Sequence, residues 1–288
     1  MDALPESVWR FSGGRSGARV VVLGGVHGNE ITGVMVVERL RAELASGVLA
    51  LEAGTLTLVI GNPRAVELGK RGSEPHEDLN RSFTASGLDT NGPTTYEARR
   101  ARELAPIIAA SDLVIDLHAT NKPSDPFAIA IVDTPERRAL CALFPCDKLL
   151  LVPDDVIAGT TAGYAEARGS IGLCFESGWV GDLTRVEAMR ASVDTILARV
   201  GLLGARPAQV HPQAVHALTE AVLLTERGFA FAPSRGERSF EPFTKGDLIG
   251  AQGETELRAP YDGTLMFPKV PELWKVGSPV AFLARSQT

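Results

Sequence analysis

The side chains of His27 and Glu30 stand three positions apart, directly after an apolar run from residue 19 to residue 26. An imidazole and a carboxylate at this spacing can bind one metal ion together. Catalytic zinc usually has three protein ligands and keeps a fourth position for water, and two histidines with one glutamate form a recurrent set. The segment therefore predicts a zinc site that needs a second histidine.

His118 supplies that second histidine, because it follows another short apolar run, residues 113 to 117. The carboxyl ends of strands in open α/β sheets form the edge at which sites are built, so two strands can bring both histidines to one place. Asp116 points to the same face of the strand as His118 and can orient its imidazole by accepting a hydrogen bond. We predict one zinc ion per chain, bound by His27, Glu30 and His118.

A histidine at a strand end more commonly has a structural or surface role, and a single His-x-x-Glu pair is weak evidence for a metal. Two features favour the metal here. Gly24, Gly25 and Gly28 allow a tight turn from strand to helix, and His118 ends a comparable strand.

The elements that must position these side chains alternate between strand-like and helix-like patterns as far as residue 200, which is typical of a layered α/β sheet. A further strand ends just before Glu176, so this carboxylate stands at a strand end as the histidines do. Strands are predicted at residues 19–24, 55–60, 113–117, 127–132, 149–152 and 170–175. Helices are predicted at residues 31–44, 96–110, 135–143 and 183–200.

The sequence after residue 205 changes to short β-type runs separated by glycine and proline. We therefore predict two domains, a zinc-dependent catalytic α/β domain at residues 1–205 and a β-rich domain at residues 206–288. Biotinyl and lipoyl carrier domains have a similar texture, but no lysine of this region has the Met-Lys or Asp-Lys context that such carriers modify. The second domain is thus interpreted as a structural cap.

Composition narrows the function classes. The 288 residues contain no apolar run long enough to span a bilayer, and the N-terminus has neither the basic nor the apolar region of a secretory signal. Three cysteines without a framework spacing favour reduced thiols and a cytoplasmic location. A net charge of -6 and a pI of about 5.5 argue against general nucleic-acid binding. An acidic substrate would then need local arginines.

A loop between residues 61 and 83 provides such arginines. Arg71, Asn80 and Arg81 lie in this stretch, which is rich in glycine, proline and charge. The planar guanidinium of arginine matches a carboxylate with two hydrogen bonds, so these residues suit a substrate that bears a carboxylate. The alternative is that Arg-Asp contacts merely tie the loop together.

These motifs, taken in order, resemble the succinylglutamate desuccinylase and aspartoacylase family, whose members are shortened relatives of the zinc carboxypeptidases. The resemblance covers nearly the whole chain. It implies an α/β fold, a zinc-carboxypeptidase-like three-layer sandwich with a mixed central sheet, plus a small C-terminal all-β domain. The matching motifs are HGNE at 27–30, GNP at 61–63, GKR at 69–71, DLNRSF at 78–83, DLH at 116–118 and FESG at 175–178.

The resemblance also implies roles for individual residues. His27, Glu30 and His118 become the zinc ligands, and Glu176 and Arg71 become the catalytic residues. Glu176 would take a proton from water and return it to the departing amine, while Arg71 would polarise the scissile carbonyl. Asn80 and Arg81 would bind a substrate carboxylate.

Three further positions carry weaker expectations. Arg168 is similar to an additional carboxylate contact of the family, or else is a solvated arginine at a helix end. Lys122 stands where desuccinylases tend to have an arginine and is expected to act as a weaker anion contact. His76 lies in a longer stretch between Arg71 and Asn80, where a loop histidine is more often solvated.

The sequence is thus interpreted as a zinc-dependent amidohydrolase of N-acyl amino acids, closest to succinylglutamate desuccinylase. The alternatives are an aspartoacylase-like or broader N-acetyl amino acid deacetylase, and a non-catalytic metal- or ligand-binding protein. A true carboxypeptidase is disfavoured because its catalytic domain alone occupies about this length. The expected partner is a small-molecule substrate, without nucleic acid or membrane, and the oligomeric state, including a homo-oligomer, stays open.

Overall fold

The structure, a computed structural model that describes residues 3–287, is built around a large β-sheet flanked by helices. Its strands are β1 (Val8–Ser12), β2 (Arg15–Gly24), β3 (Ala53–Ile60), β4 (Leu113–Thr120), β5 (Phe127–Ala130), β6 (Lys148–Leu151), β7 (Ile171–Trp179), β8 (Ala214–Leu223), β9 (Phe229–Phe231), β10 (Glu241–Phe243), β11 (Leu248–Gln252), β12 (Thr255–Arg258), β13 (Gly263–Met266) and β14 (Pro279–Gln287). Its α-helices are α1 (Ile31–Ser46), α2 (Pro63–Leu68), α3 (Ala85–Leu88), α4 (Tyr96–Ala109), α5 (Pro135–Cys141), α6 (Thr161–Ala167) and α7 (Val186–Arg199). Short 3-10 helices cover Leu79–Arg81, Leu183–Arg185 and Pro271–Leu273.

The central sheet is mixed. Within residues 3–287 it has eleven strands in the order β1-β3-β2-β4-β7-β5-β6-β8-β14-β13-β10. Strands β3, β2, β4 and β7 run parallel, whereas β1 pairs antiparallel with β3 and β5 antiparallel with β7. The predicted fold class, an α/β sandwich with a mixed sheet and additional C-terminal β structure, is confirmed.

Both faces of the sheet are covered, so the inner strands β4 and β7 are buried along nearly their whole length rather than at alternate positions. In β2, Val20 and Val22 pack into the core on the α1 and α7 side, which also contains residues of α5. Val21 and Leu23 point to the opposite side and pack with residues of α4 and α6. The three layers follow from this burial on both sides.

Alternation along β4 and β7 places the chemically active side chains on one face. In β4, Leu113, Ile115 and Leu117 belong to the α1 and α7 core, so Asp116 and His118 point to the other face. The parallel register pairs His118 with Glu176 on β7. Side chains at paired positions of parallel strands project to the same side, and these two are therefore neighbours.

Several element bounds differ from the sequence prediction. Strands β4 and β7 continue past His118 and Glu176, because pairing resumes between Thr120 and Trp179 after an irregularity. His118 and Glu176, which were expected at strand ends, therefore lie within the paired part of the two strands, where backbone hydrogen bonds restrain them on both sides. The pattern analysis did not identify β1, α2, α3 and α6, which are short or lack a clear period.

The C-terminal β region continues the central sheet. Strand β8 pairs parallel with β6, and β14, β13 and β10 follow it, while β9, β11 and β12 form a separate small sheet. One apolar cluster combines Phe127 and Leu150 from the first region with Leu218, Met266 and Phe282 from the second. The predicted boundary between residues 205 and 206 stays a prediction, and the two regions share a core across it.

Other parts of the chain bear on the composition arguments. Among residues 3–287 no helix combines the length and the apolar character needed to cross a bilayer. Cys141, Cys146 and Cys174 are buried and free. Burial raises the pKa of the Cys146 thiol to about 11 and that of Cys174 well above its ordinary value. These thiols are therefore protonated core side chains at neutral pH.

Candidate active site

A pocket at the carboxyl ends of β2, β4 and β7 collects most of the predicted site residues. It is lined by all three predicted metal ligands, by the predicted catalytic residues Glu176 and Arg71, and by the predicted substrate contacts Asn80, Arg81 and Lys122. The location agrees with the rule that sites in α/β sheets are built at this edge.

The three predicted ligands converge on one point. His27 Nδ1 lies 2.8 Å from Glu30 Oε1, and His118 Nδ1 lies 2.8 Å from Glu30 Oε2. One ligand atom from each residue falls within 4.8 Å of the others, a grouping that could hold a metal ion. The three residues are at most 4% exposed. Side chains 88 positions apart in the chain are thus brought together as the prediction requires, although metal binding itself stays a prediction.

The second nitrogen of each imidazole is held by a carboxylate. His118 Nε2 lies 2.9 Å from Asp116 Oδ2, as expected from the sequence, and His27 Nε2 lies 3.0 Å from Asp78 Oδ1. Such carboxylate partners fix the ring orientation of metal-binding histidines. The pairing of Asp78 with His27 was not anticipated, and its only sequence signal is the acidic residue that opens the DLNRSF motif.

The electrostatics of this cluster suit a cation. Burial alone would lower the pKa of His118, but Asp116 and Glu30 raise it well above its ordinary value. Burial would raise the pKa of Glu30, and the two histidines instead hold it below its usual range. An acid-rich buried site therefore draws positive charge to itself. A divalent cation bound to neutral imidazoles would supply this positive charge, so the nitrogen and oxygen donors present fit the predicted zinc.

The turn that carries His27 and Glu30 depends on glycine. Gly25 has a φ of +67°, a conformation that costs glycine little. A Cβ on Gly28 would lie 1.9 Å from the carbonyl carbon of Ala65, so only glycine allows this approach to α2. The turn delivers Glu30 to the N-cap of α1, where the Ala119 backbone N–H donates to Glu30 Oε2 at 3.0 Å.

Arg71 lies at the edge of the cluster. Its Nε and Nη2 donate to Asp78 Oδ2 at 3.2 and 2.9 Å, and its Nη1 lies 3.5 Å from Glu30 Oε1. Burial would lower the pKa of Arg71, but Asp78 and Glu30 raise it. A permanent cation beside the ligand cluster can stabilise negative charge that develops there.

Asn80 and Arg81 line the pocket next to Arg71. Asn80 Oδ1 accepts a hydrogen bond from the Thr161 backbone N–H at 2.9 Å, and its Nδ2 lies 3.5 Å from His118 Nε2. These two contacts fix which end of the Asn80 side-chain amide is the oxygen and which is the nitrogen. Arg81 donates from Nη1 to the Asn80 carbonyl at 2.5 Å, and its guanidinium retains donors for a ligand.

Glu176 is 8% exposed, and its Oε2 has no hydrogen-bond partner among residues 3–287. Buried polar atoms are rarely unpaired, and in a pocket such an atom is available to a water, an ion or a ligand. Burial raises the pKa of Glu176 to about 8, with Glu30 adding to the shift and His118 and Arg71 opposing it. A carboxyl group with this pKa can both accept and release a proton near neutral pH.

The weaker expectations have different outcomes. Lys122 lines the pocket, but its Nζ donates to the Gly236 carbonyl at 2.6 Å. Arg168 does not line the pocket. Its guanidinium lies over the ring of Tyr164 instead, 5.0 Å from the ring centroid. His76 faces a separate depression with Trp274. Proximity in the sequence did not decide which of these residues reach the site.

Sequence reasoning missed one whole wall of the pocket. It consists of apolar side chains from both regions and of Lys269 from the C-terminal region, with no motif or period to mark them. The apolar members are Ile129, Ile131, Val152, Ile157, Phe267, Leu273 and Phe282. Only long-range packing of β13 and β14 against β5 and β7 brings them together.

Comparison with protein families supports the sequence resemblance. The model of the succinylglutamate desuccinylase/aspartoacylase catalytic domain matches residues 16–199, more than half of the chain. The matched segment contains every predicted ligand and catalytic residue, namely His27, Glu30, Arg71, His118 and Glu176.

Curated relatives include three kinds of acylase. A succinylglutamate desuccinylase of Burkholderia cenocepacia is 28% identical over 87% of this chain and 77% of its own length. A probable aspartoacylase of Nostoc sp. is 39% identical over 35% of each chain. An N-acyl-aromatic-L-amino acid amidohydrolase of Xenopus tropicalis is 33% identical over 46% of this chain and 47% of its own. The matches to the last two span less than half of either relative.

Solved structures show the same fold. A succinylglutamate desuccinylase of Vibrio parahaemolyticus superposes with a TM-score of 0.80 at 20% identity, covering 97% of this chain and 86% of its own. Murine aminoacylase 3 superposes with a TM-score of 0.72 at 23% identity, covering 94% and 95%. At these identities the likeness establishes the architecture.

Proposed function

Because this chain belongs to the succinylglutamate desuccinylase/aspartoacylase family, we propose that it hydrolyses the amide bond of N-acyl amino acids in a zinc-dependent reaction. The observation that carries the proposal is the convergence of His27, Glu30 and His118 beside a carboxylate with an unpaired oxygen, Glu176. The reaction would consume water and release a carboxylic acid and a free amino acid.

The ligand cluster gives the zinc dependence. His27, Glu30 and His118 would hold the ion, with Asp78 and Asp116 orienting the imidazoles. When bound, zinc supplies a Lewis acid and lowers the pKa of a coordinated water from 15.7 towards about 7. The orientation of both Nδ1 atoms towards one carboxylate is the feature of this chain that supports such a site.

Glu176 would move the protons. Its carboxylate takes a proton from the attacking water, and the oxygen of that water forms a bond to the amide carbon. When the carbon–nitrogen bond breaks, Glu176 returns the proton to the departing amine, so the group is regenerated. Arg71 donates a hydrogen bond to the carbonyl oxygen as it gains negative charge.

Asn80 and Arg81 would hold a carboxylate of the substrate. Arg81 lines the pocket and keeps guanidinium donors beyond the one used by the Asn80 carbonyl. A planar guanidinium binds a carboxylate with two parallel hydrogen bonds. Holding the substrate at this end fixes the distance from its amide to Glu176.

Two acyl classes are candidates. N-succinyl amino acids are supported by the desuccinylase relative, whose similarity spans 87% of this chain. N-acetyl amino acids with apolar side chains are supported by the apolar wall, because Ile129, Ile131 and Phe267 can pack against an apolar side chain of the substrate. A panel of N-succinylglutamate, N-acetylaspartate and N-acetylated apolar amino acids separates these classes.

A non-catalytic binding protein with the same fold is the rival from another class. Metal analysis of the purified protein, together with the Glu176→Gln variant, distinguishes the two. We expect about one zinc per chain, an active wild type and a 10²- to 10⁴-fold slower variant that retains its metal. A protein that binds no zinc and hydrolyses none of the panel would favour the binding protein.

A further inference from the structure

We propose that Lys269, in the C-terminal β region, binds the carboxylate of the substrate together with Arg81. The inference rests on the proposed function and deepens it, because it makes the C-terminal region part of the substrate site. Neither the motifs nor the family match, which ends at residue 199, includes this lysine.

The first observation is an ammonium group without a partner inside the pocket. Lys269 lines the same pocket as Arg71 and Arg81. Within residues 3–287 its Nζ forms no hydrogen bond or ion pair, whereas Lys122 donates to the Gly236 carbonyl and Lys148 pairs with Asp125 and Asp147. An ammonium group has three N–H donors, so Lys269 has donors available for a ligand.

The second observation is the local charge. Burial and the nearby guanidinium groups of Arg71 and Arg81 lower the pKa of Lys269 to about 8, and Asp78 offsets only part of this. Asp78 is already shared by Arg71 and His27. Cations without a sufficient carboxylate attract an anion, and a ligand carboxylate would relieve their repulsion.

The third observation is that the segment is held in place. The Lys269 backbone N–H donates to the Val280 carbonyl at 2.8 Å, and its carbonyl accepts from Trp274 Nε1 at 3.0 Å. Phe267 has a φ of +48°, rare for a side chain of this size, and its N–H donates to Ser239 Oγ at 3.2 Å. Such a conformation persists only where the surroundings over-determine it, commonly at ligand sites.

The ligand chemistry follows from what surrounds the lysine. The apolar wall of Ile129, Ile131, Phe267 and Leu273 lies in the same pocket, so the anion that fits is a carboxylate on a molecule with an apolar portion. The C-terminal region would thus contribute Lys269 to the carboxylate and Phe267 to the apolar portion.

The test compares ligands with and without the charge. N-acetyl-L-leucine and its α-carboxamide are titrated calorimetrically into the full-length Glu176→Gln protein, which binds without turnover. Adding Lys269→Met should weaken binding of the carboxylate about 10- to 100-fold, the range of a charge-assisted hydrogen bond, and binding of the carboxamide less than about twofold. Lys269→Arg should recover most of the lost affinity. Lys275→Met, an exposed lysine of the same region outside this pocket, is the matched control and should change neither.

Equal weakening of both ligands would assign Lys269 a structural role, and unchanged affinities would also overturn the inference. The wild-type background separates this inference from the proposed function. A wild type that hydrolyses N-acetyl-leucine while Lys269→Met keeps its KM would retain the function and reject the lysine. A charge-selective loss of binding without any hydrolysis by the wild type would retain the lysine and reject the function.

Discussion

The two ends of the pocket are built in opposite ways. Around the ligand cluster, polar side chains are paired with one another, since His27 and His118 each contact two carboxylates. On the C-terminal side, apolar side chains dominate and Lys269 has no side-chain partner among residues 3–287. The two imidazoles of the paired end are held before a ligand arrives, because carboxylates contact both nitrogens of each ring. The other end is completed by what binds to it.

The comparison assigns chemistry to one end and selection to the other. A preorganised polar cluster keeps catalytic groups in place with little rearrangement during the reaction. An apolar wall with one unpaired charge instead distinguishes substrates by shape and by the position of their carboxylate. Substitutions at the two ends should therefore change different quantities.

The largest effect is expected at the paired end. His118→Ala removes one of the three proposed ligands and leaves Glu30 and Asp116 with an unmatched negative charge. We expect loss of bound zinc and a fall in deacylase activity of at least about 1,000-fold, measured by metal analysis and by amino acid release. His211→Ala, outside the pocket, is the control. Retention of zinc and activity by His118→Ala would show that the cluster is not the metal site.

The next effect concerns the groups that orient the ligands. Asp78→Asn keeps the size of the side chain but removes the charge that faces His27 and Arg71. Zinc affinity should fall about 10- to 100-fold, as measured by competition with a chelator. Asp116→Asn tests the same role at His118. Equal affinities in wild type and both variants would mean that the carboxylates serve only the fold.

At the C-terminal end of the pocket, a substitution should increase the stability of the protein. The folded-state pKa of Lys269 is about 8, below the ordinary value of 10.5, so below pH 8 the folded protein carries the full cost of a confined charge. Lys269→Met should therefore raise the free energy of unfolding by about 1 to 2 kcal/mol at pH 7.

The stability difference between Lys269→Met and the wild type should also depend on pH. Between pH 8 and pH 10.5 the unfolded chain holds more of this proton than the folded protein, so wild-type stability rises with pH and the difference should close. Urea denaturation of the metal-free proteins at pH 7 and pH 10 measures both differences, with Lys275→Met as the matched control. A variant that is less stable than the wild type at pH 7 would mean that the ammonium has a stabilising partner.

The smallest effect is expected for a residue that the sequence suggested and the structure places elsewhere. Arg168 lies over Tyr164 and does not line the pocket. Arg168→Ala should change kcat/KM less than about twofold, whereas Arg81→Ala should reduce it about 10- to 150-fold, which corresponds to about 1.5 to 3 kcal/mol, the range of a hydrogen bond to a charged group. Steady-state kinetics on one N-acyl amino acid compares the two. A large loss in Arg168→Ala would place this residue in the substrate site after all.

Much of the ligand end could be predicted because its signals are local. The His-x-x-Glu spacing, the alternation that puts Asp116 and His118 on one face, and the glycines of the turn all act within a few residues. The C-terminal wall could not be predicted in this way. Lys269 follows Phe267 and Pro268 in a short connection, and nothing in its neighbours indicates which surface it faces.

The sequence by itself determined the longer strands and helices of the α/β region, the candidate ligand types and the family resemblance, because propensity, periodicity and short motifs depend on neighbouring residues. Only the tertiary structure decided that Asp78 contacts His27, that Arg168 stays outside the pocket and that Lys269 lines it. The position of Lys269 depends on how β8, β14 and β13 continue the sheet beyond β6. Such pairing is set by burial summed over many distant contacts, which no single stretch of the chain encodes.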